Sequence, residues 1–428
     1  MSETTLHTDL LRFATVGSVD DGKSTLIGRL LVDTKQLFDD QLDALSVAAQ
    51  RRGSADVDLS FITDGLRAER EQGITIDVAY RYAATPQRKF VIADCPGHVQ
   101  YTANMATGAS TADLVLMVID ATAGIKEQTR RHLCIAALLG VRQVIACANK
   151  MDLANWRQEA YDHVVEEMTS LASRLGIDSL TVIPISALAG DNVVDASAKT
   201  PYYDGPTVLE ALEAAPAGGW ANLHGSSEHD ASRLPVQWII RKPGGGRSYA
   251  GMVYGQALEV GAKVTVLPDG RHSQVIAIAT PRGEATRAEV GISVAVDLAD
   301  DLDVSRGDMI VGTDTPPEVT SELTATVCWF SPTPLTAGRR LRVKHTTRST
   351  PALIAEILGE LDVTSLHIAD ATELAENAIG IVRLTTASPL VVDPYSVNRI
   401  TGSFVLIDEV TNITVAAGMV GPPTLHTD

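Results

Sequence analysis

Residues 17–24 read Gly17-Ser18-Val19-Asp20-Asp21-Gly22-Lys23-Ser24, the spacing GxxxxGK[ST], with Thr25 directly after. Glycines at such positions let the backbone wrap so that several N–H groups converge on a phosphate chain. A helix starting there adds the positive end of its dipole. Lys23 can then reach the β- and γ-phosphates, and the Ser24 hydroxyl can ligate Mg²⁺. Alone, this pattern is a weak signal.

Three further constellations give it context. Asp94-Cys95-Pro96-Gly97-His98 joins a carboxylate able to hold a water ligand of Mg²⁺ to a glycine amide able to sense a γ-phosphate. Standing alone it would read as a Pro-Gly turn. In Asn149-Lys150-Met151-Asp152, the Asp152 carboxylate can accept both N1–H and the exocyclic amine of guanine, a pair that adenine does not offer. Asn149 can bond the base and the nearby loop, while the Lys150 stem packs over the ring. Ser186-Ala187-Leu188 offers a backbone N–H to guanine O6. Four elements in this order predict a GTP site.

The elements that must position them are legible up to about residue 215. Apolar runs at Phe13–Val16, Phe90–Ala93, Leu114–Asp120, Val144–Ala148 and Thr181–Ile185 alternate with amphipathic stretches such as Thr25–Leu31, Glu127–Leu139 and Trp156–Leu175. Buried strands alternating with helices predict a doubly wound parallel sheet, whose ligands bind at the carboxyl ends of strands. All four constellations follow an apolar run directly.

Residues 217–232 are small, polar and Gly/Ser-rich, and read as a linker. Beyond them, short β-branched runs punctuated by PGGG, PDG, PRG and RGD predict barrels or sandwiches. Glycines 244–246 precede no GK[ST], so a turn is expected there. The expected division is an α/β P-loop GTPase domain at 9–216, the linker 217–232, and all-β barrel domains at 233–318 and 319–428.

Hydrophobic residues make up 45% of the 428-residue chain and charged residues 21%, ordinary for a protein with real cores. Acidic residues outnumber basic ones 53 to 35, a net charge of −18. Such a chain repels phosphate backbones and anionic lipid, and no Lys/Arg run offsets it, so neither nucleic acid nor membrane is an expected partner. Cys95, Cys134, Cys147 and Cys328 lack CxxC spacing and read as packing residues. The run Asp297–Asp303 reads as a solvated loop. With no basic leader before an apolar stretch and no apolar run of about 18 residues, a cytoplasmic location is expected.

The four constellations resemble the translational GTPases, in which elongation factor Tu has the same order followed by two β-barrels. The resemblance covers nearly the whole chain and is best over residues 11–188. It implies that Thr75, in Gly73-Ile74-Thr75, ligates Mg²⁺ from the first switch, and that His98 orients the attacking water. It also implies that Asp20 holds a monovalent cation and that Val19 and Ile74 gate the histidine.

Within that superfamily, GSVDDGKSTLIGRLLVDTK at residues 17–35 is similar to the GTP-binding large subunits of bacterial sulfate adenylyltransferase. VQWIIR (236–241), SRGDMIV (305–311) and TGSFVLIDEVTNITVAAGM (401–419) agree with it, while GGGRSYAG (244–251) departs from that family's Tyr-Arg-Gly-Tyr-like stretch. Membership implies a heteromeric enzyme. A smaller partner subunit makes adenylyl sulfate and diphosphate from ATP and sulfate, for cysteine biosynthesis, and GTP hydrolysis drives that uphill step. The ATP-reading site is expected in the partner. No second GxxxxGK[ST] follows, so adenylyl-sulfate kinase activity is not expected. The alternative is a translation-factor-like GTPase that delivers RNA.

Overall fold

The computed structural model describes residues 10–34, 75, 77–217, 231–243 and 245–423. Near residue 217 the chain divides into two compact units.

The first unit is built on a six-stranded sheet of β1 (Leu10–Val16), β2 (Ala79–Ala84), β3 (Lys89–Asp94), β4 (Leu114–Asp120), β5 (Gln143–Asn149) and β6 (Ser179–Pro184). Their order is β2-β3-β1-β4-β5-β6, and only β2 runs antiparallel to its neighbour. All seven residues of β4 are buried, as a central parallel strand covered on both faces requires. Five helices are described: α1 (Lys23–Asp33), α2 (Thr102–Ser110), α3 (Glu127–Leu138), α4 (Gln158–Arg174) and α5 (Val208–Ala214). The core joins Leu11 and Phe13 of β1 to Leu26 and Leu30 of α1, Leu116 of β4 and Leu212 of α5. A capping box starts α5, with Thr207 accepting from Glu210 N–H and the Glu210 carboxylate from Thr207 N–H.

The register brings the carboxyl ends of the strands together. Thr15 of β1 lies opposite Asp94 of β3, and Asp120 of β4 opposite Asn149 of β5. Every predicted constellation therefore begins at one edge of one sheet.

One strand was not expected. β2 reads AYRYAA, with every residue at least partly exposed, so it lacks the buried run that marks the other five. It sits at the edge of the sheet, with no strand neighbour on one side among the described residues.

The second unit contains two closed sheets. In the first, strands order as Arg233–Pro235, Met309–Gly312, Lys263–Leu267, Arg271–Thr280, Ser293–Leu298, Arg247–Met252 and Trp238–Arg241. Reciprocal backbone bonds between Arg233 and Tyr254, both 2.8 Å, close it. The turn expected at the glycine run is formed by Gly245 and Gly246 at positive φ, with Lys242 N–H bonded to Gly246 O at 3.1 Å. Gly244 and residues 218–230 of the expected linker lie outside the described residues.

In the second sheet Arg340–His345 pairs with both Arg348–Leu361 and Ser403–Ile407, which closes the circuit around Trp329. Arg233 of the first barrel and Asp393 of the second form a buried bidentate pair at 3.1 Å on both contacts. Thr401 Oγ1 adds a bond to the same carboxylate at 2.6 Å. The architecture is an α/β domain on a mostly parallel sheet followed by β-barrels.

Candidate nucleotide site

The phosphate loop leaves β1 and enters α1 through Gly22, whose φ of 96° is left-handed. A Cβ there would lie 2.3 Å from Asn149 Nδ2, so both the conformation and the close approach require glycine. Lys23 is 7% exposed, and its ammonium donates to the carbonyls of Gly17 at 3.1 Å and Ser18 at 2.8 Å. Burial pulls its pKa below the ordinary lysine value, with Asp94 and then Asp21 opposing that shift. A Cβ on Gly97 would lie 2.3 Å from Lys23 Nζ. Lys23, Asp94 and Gly97 are thus brought together, and Gly97 packs so closely on Lys23 Nζ and Gly17 O that it has no room for a side chain.

The carboxylate of Asp94, 1% exposed, accepts from Thr15 Oγ1 at 3.2 Å. Buried Cys95 packs beside it with its thiol pushed up by burial, and Pro96 is also buried. Ser24 and Thr25 are half-buried on the first turn of α1, and no described residue bonds the Ser24 hydroxyl. The Ser24 hydroxyl and the Asp94 carboxylate are hard oxygen donors, the kind that fit Mg²⁺.

His98 is half-buried, and its Nδ1 accepts the N–H of Gln100 at 3.3 Å. A neutral ring held this way carries its proton on Nε2. Val19 is half-buried and Asp20 exposed, the latter at φ 64°. Thr75 is half-buried and makes no hydrogen bond to a described residue, so the structure does not join it to Ser24 or Asp94. Gly73 and Ile74 lie outside the described residues.

On the base side, buried Asn149 donates from Nδ2 to Asp21 O at 2.8 Å. Its Oδ1 accepts Ala187 N–H at 2.9 Å. One amide therefore ties the phosphate loop to the 186–188 loop. Lys150 takes φ 63° and pairs with Asp120 at 2.7 Å. Burial alone would raise the Asp120 pKa, but bonds from Lys150 and Thr122 hold it below the usual carboxylate value. Met151 is buried, with its N–H on Ile185 O at 3.1 Å. Asp152 is half-buried with no bond to its carboxylate from a described residue. Ser186 is buried and Leu188 exposed. Because Ala187 N–H already serves Asn149, the amide left over in this loop is that of Leu188.

Several supporting residues gave no sequence signal. Arg29 of α1 donates to the carbonyls of Ala187 (3.3 Å) and Leu188. Thr129 of α3 shares a hydrogen bond with the Ser18 hydroxyl at 3.0 Å, and Lys126 pairs with Asp21 at 2.7 Å. His132 is fully buried on α3, 2.7 Å from Gln128 Nε2, and burial reinforced by the charges of Lys23 and Arg131 pushes its pKa to about 3. Tertiary folding alone brings these residues to the loop.

Comparison with known proteins settles the family. The Elongation factor Tu GTP binding domain family matches residues 8–217, and the GTP-eEF1A C-terminal domain-like family matches residues 322–421. Sulfate adenylyltransferase subunit 1 of Alteromonas mediterranea is 46% identical over 414 residues, covering 96% of this chain and 87% of that one. The chain belongs to the sulfate adenylyltransferase subunit 1 family. The subunit 1 of Aeromonas salmonicida is also 46% identical, over 97% of this chain and 87% of its own. The "Bifunctional enzyme CysN/CysC" of Mycobacterium tuberculosis is 51% identical over 96% of this chain and 67% of its own length. As a member of the subunit 1 family, this chain is the GTP-binding, GTP-hydrolysing subunit of a sulfate adenylyltransferase. RNA delivery is not favoured.

Proposed function

We propose that Gly17–Thr25, Asp94–His98, Asn149–Asp152 and Ser186–Leu188 bind GTP with Mg²⁺, and that hydrolysis there drives adenylyl sulfate formation by a small partner subunit. The observation that carries this reading is the convergence of Lys23, Asp94 and Gly97 at strand ends bridged to the base side by Asn149. Lys23 neutralises charge on the terminal phosphates, and the loop amides hold the phosphates in line.

Bound Mg²⁺ would supply further charge neutralisation between the phosphates, with Ser24, Thr75 and Asp94 (through water) as its protein-side partners. Asp20, exposed at the turn of the loop, is the candidate for a monovalent cation. Asp152 accepts from guanine and the Leu188 amide donates to it.

His98 acts by position. With Nδ1 accepting from Gln100, its Nε2–H donates to the attacking water and fixes that water's direction rather than removing its proton. Thr75 and Gly97–His98 are the segments whose order depends on the γ-phosphate. The domain limits proposed for this arrangement are 9–216, 217–232, 233–318 and 319–428, and the proposed compartment is the cytoplasm.

The phosphosulfate anhydride is costly to form, so coupling requires the partner's reaction to gate GTP turnover. The test is steady-state GTP hydrolysis by the two-subunit complex, with and without ATP and sulfate. Turnover should rise when both are present. A rate indifferent to them, in a complex that co-elutes, would contradict the coupling.

A further inference from the structure

Asp21 is an acidic residue inside a loop shaped to hold a polyanion. Its side chain is buried, 1% exposed, and both carboxylate oxygens are engaged. Oδ2 accepts Ser18 N–H at 2.8 Å, which fixes the turn of the loop. Oδ1 accepts the ammonium of Lys126 at 2.7 Å. Lys126 lies outside the loop, on the connection from β4 to α3, with 39% of its side chain exposed. Among the described residues no other cation is ion-paired with Asp21.

The charge of Asp21 is felt at the phosphate-binding position, because it is one of the carboxylates acting on Lys23. A buried carboxylate at that range attracts Lys23 but repels a nucleotide's phosphates. Neutralisation by a partner cation removes most of that field. Lys23 cannot serve as that cation, since its hydrogen bonds go to the Gly17 and Ser18 carbonyls and its charge is needed by the ligand.

We propose that Lys126 is a positioning residue for nucleotide binding: by pairing with Asp21 it cancels a negative charge behind the phosphate loop. This rests on the reading of residues 17–24 as the phosphate cradle. Without Lys126 the loop retains Asp21 as an unpaired buried anion, and the penalty to a ligand grows with the charge on its phosphates. A role in packing alone would affect every guanine nucleotide equally.

The test is calorimetric binding of GTP, GDP and GMP to the full chain and three variants. Lys126→Met should weaken GDP by about tenfold, GTP by more and GMP by less, the order set by phosphate charge. Lys126→Arg, which keeps the cation, should stay within about threefold of the parent. Lys126→Met combined with Asp21→Asn should recover most of the loss, since asparagine keeps an acceptor for Ser18 N–H while removing the charge. An equal loss for all three nucleotides, or no recovery in the double variant, would overturn the proposal. A Lys23→Ala control separates the two readings. If it abolishes binding while Lys126→Met leaves affinity unchanged, the phosphate cradle stands and the role of Lys126 fails.

Discussion

The side-chain amide of Asn149 accepts the backbone N–H of Ala187 at 2.9 Å, and its other end donates to the phosphate loop at Asp21 O, 2.8 Å away. The 186–188 loop and the 17–24 loop, the proposed base reader and phosphate holder, are thereby joined across the end of the sheet by one buried residue.

Asn149→Ala should uncouple them. Two buried partners, Asp21 O and Ala187 N–H, lose their bonds, and each unsatisfied group costs about 1–3 kcal/mol. GTP and GDP affinity should both fall by roughly tenfold or more, with circular dichroism unchanged. A calorimetric affinity within twofold of the parent would show that the bridge does not organise the site.

Asp152→Asn should move base preference from guanine toward xanthine. Guanine donates two hydrogens to a carboxylate, whereas xanthine presents a carbonyl where the amine was and pairs with an amide donor. With an unpaired buried group costing about 1–3 kcal/mol, the ratio of GTP to XTP affinity should change by tenfold or more. A variant that still prefers GTP as strongly as the parent would remove Asp152 from the base site.

His98→Ala should leave GTP affinity nearly unchanged and slow hydrolysis by roughly 10²-fold, the usual size for a positioned orienting group. Single-turnover hydrolysis with the partner present measures it. A parental rate would exclude His98 from the chemistry.

His132 gives a pH dependence whose sign is fixed. Its folded pKa is pushed to about 3, against 6.5 for an unperturbed histidine. Between those values the unfolded chain binds a proton that the folded chain does not, so stability falls as pH drops through this window and is fully present above it. The melting midpoint of the GTPase unit should fall between pH 7 and pH 5, and fall less steeply in His132→Asn. Parallel slopes in the two proteins would contradict this.

The candidate site was legible where chemistry dictates residue type locally. A phosphate loop needs Gly22 and Lys23, and a guanine reader needs Asn149 and Asp152. Each constellation comes at the end of a strand whose buried run is itself visible, as with Phe13–Val16 and Val144–Ala148. The short β-branched runs predicted barrels or sandwiches without deciding between them, and the pairing of Arg340–His345 with two partners was not legible, because closure is set by long-range register. Strand β2 was hidden because an edge strand needs no continuous apolar run. Arg29, Lys126 and Thr129 were hidden for a different reason. Their types carry no local signal, and only the tertiary fold aims Arg29 at the 186–188 loop and Lys126 and Thr129 at the 17–24 loop.

The central claim is that GTP hydrolysis, not merely GTP occupancy, drives sulfate activation. The measurement is adenylyl sulfate formed from radiolabelled sulfate and ATP by this chain with its small partner subunit, at a concentration where the two co-elute. Parallel reactions contain GTP, GDP or a non-hydrolysable GTP analogue. The expected result is high yield with GTP alone, and little with GDP, with the analogue, or with GTP and His98→Ala. Equal yield with all three nucleotides would contradict the account.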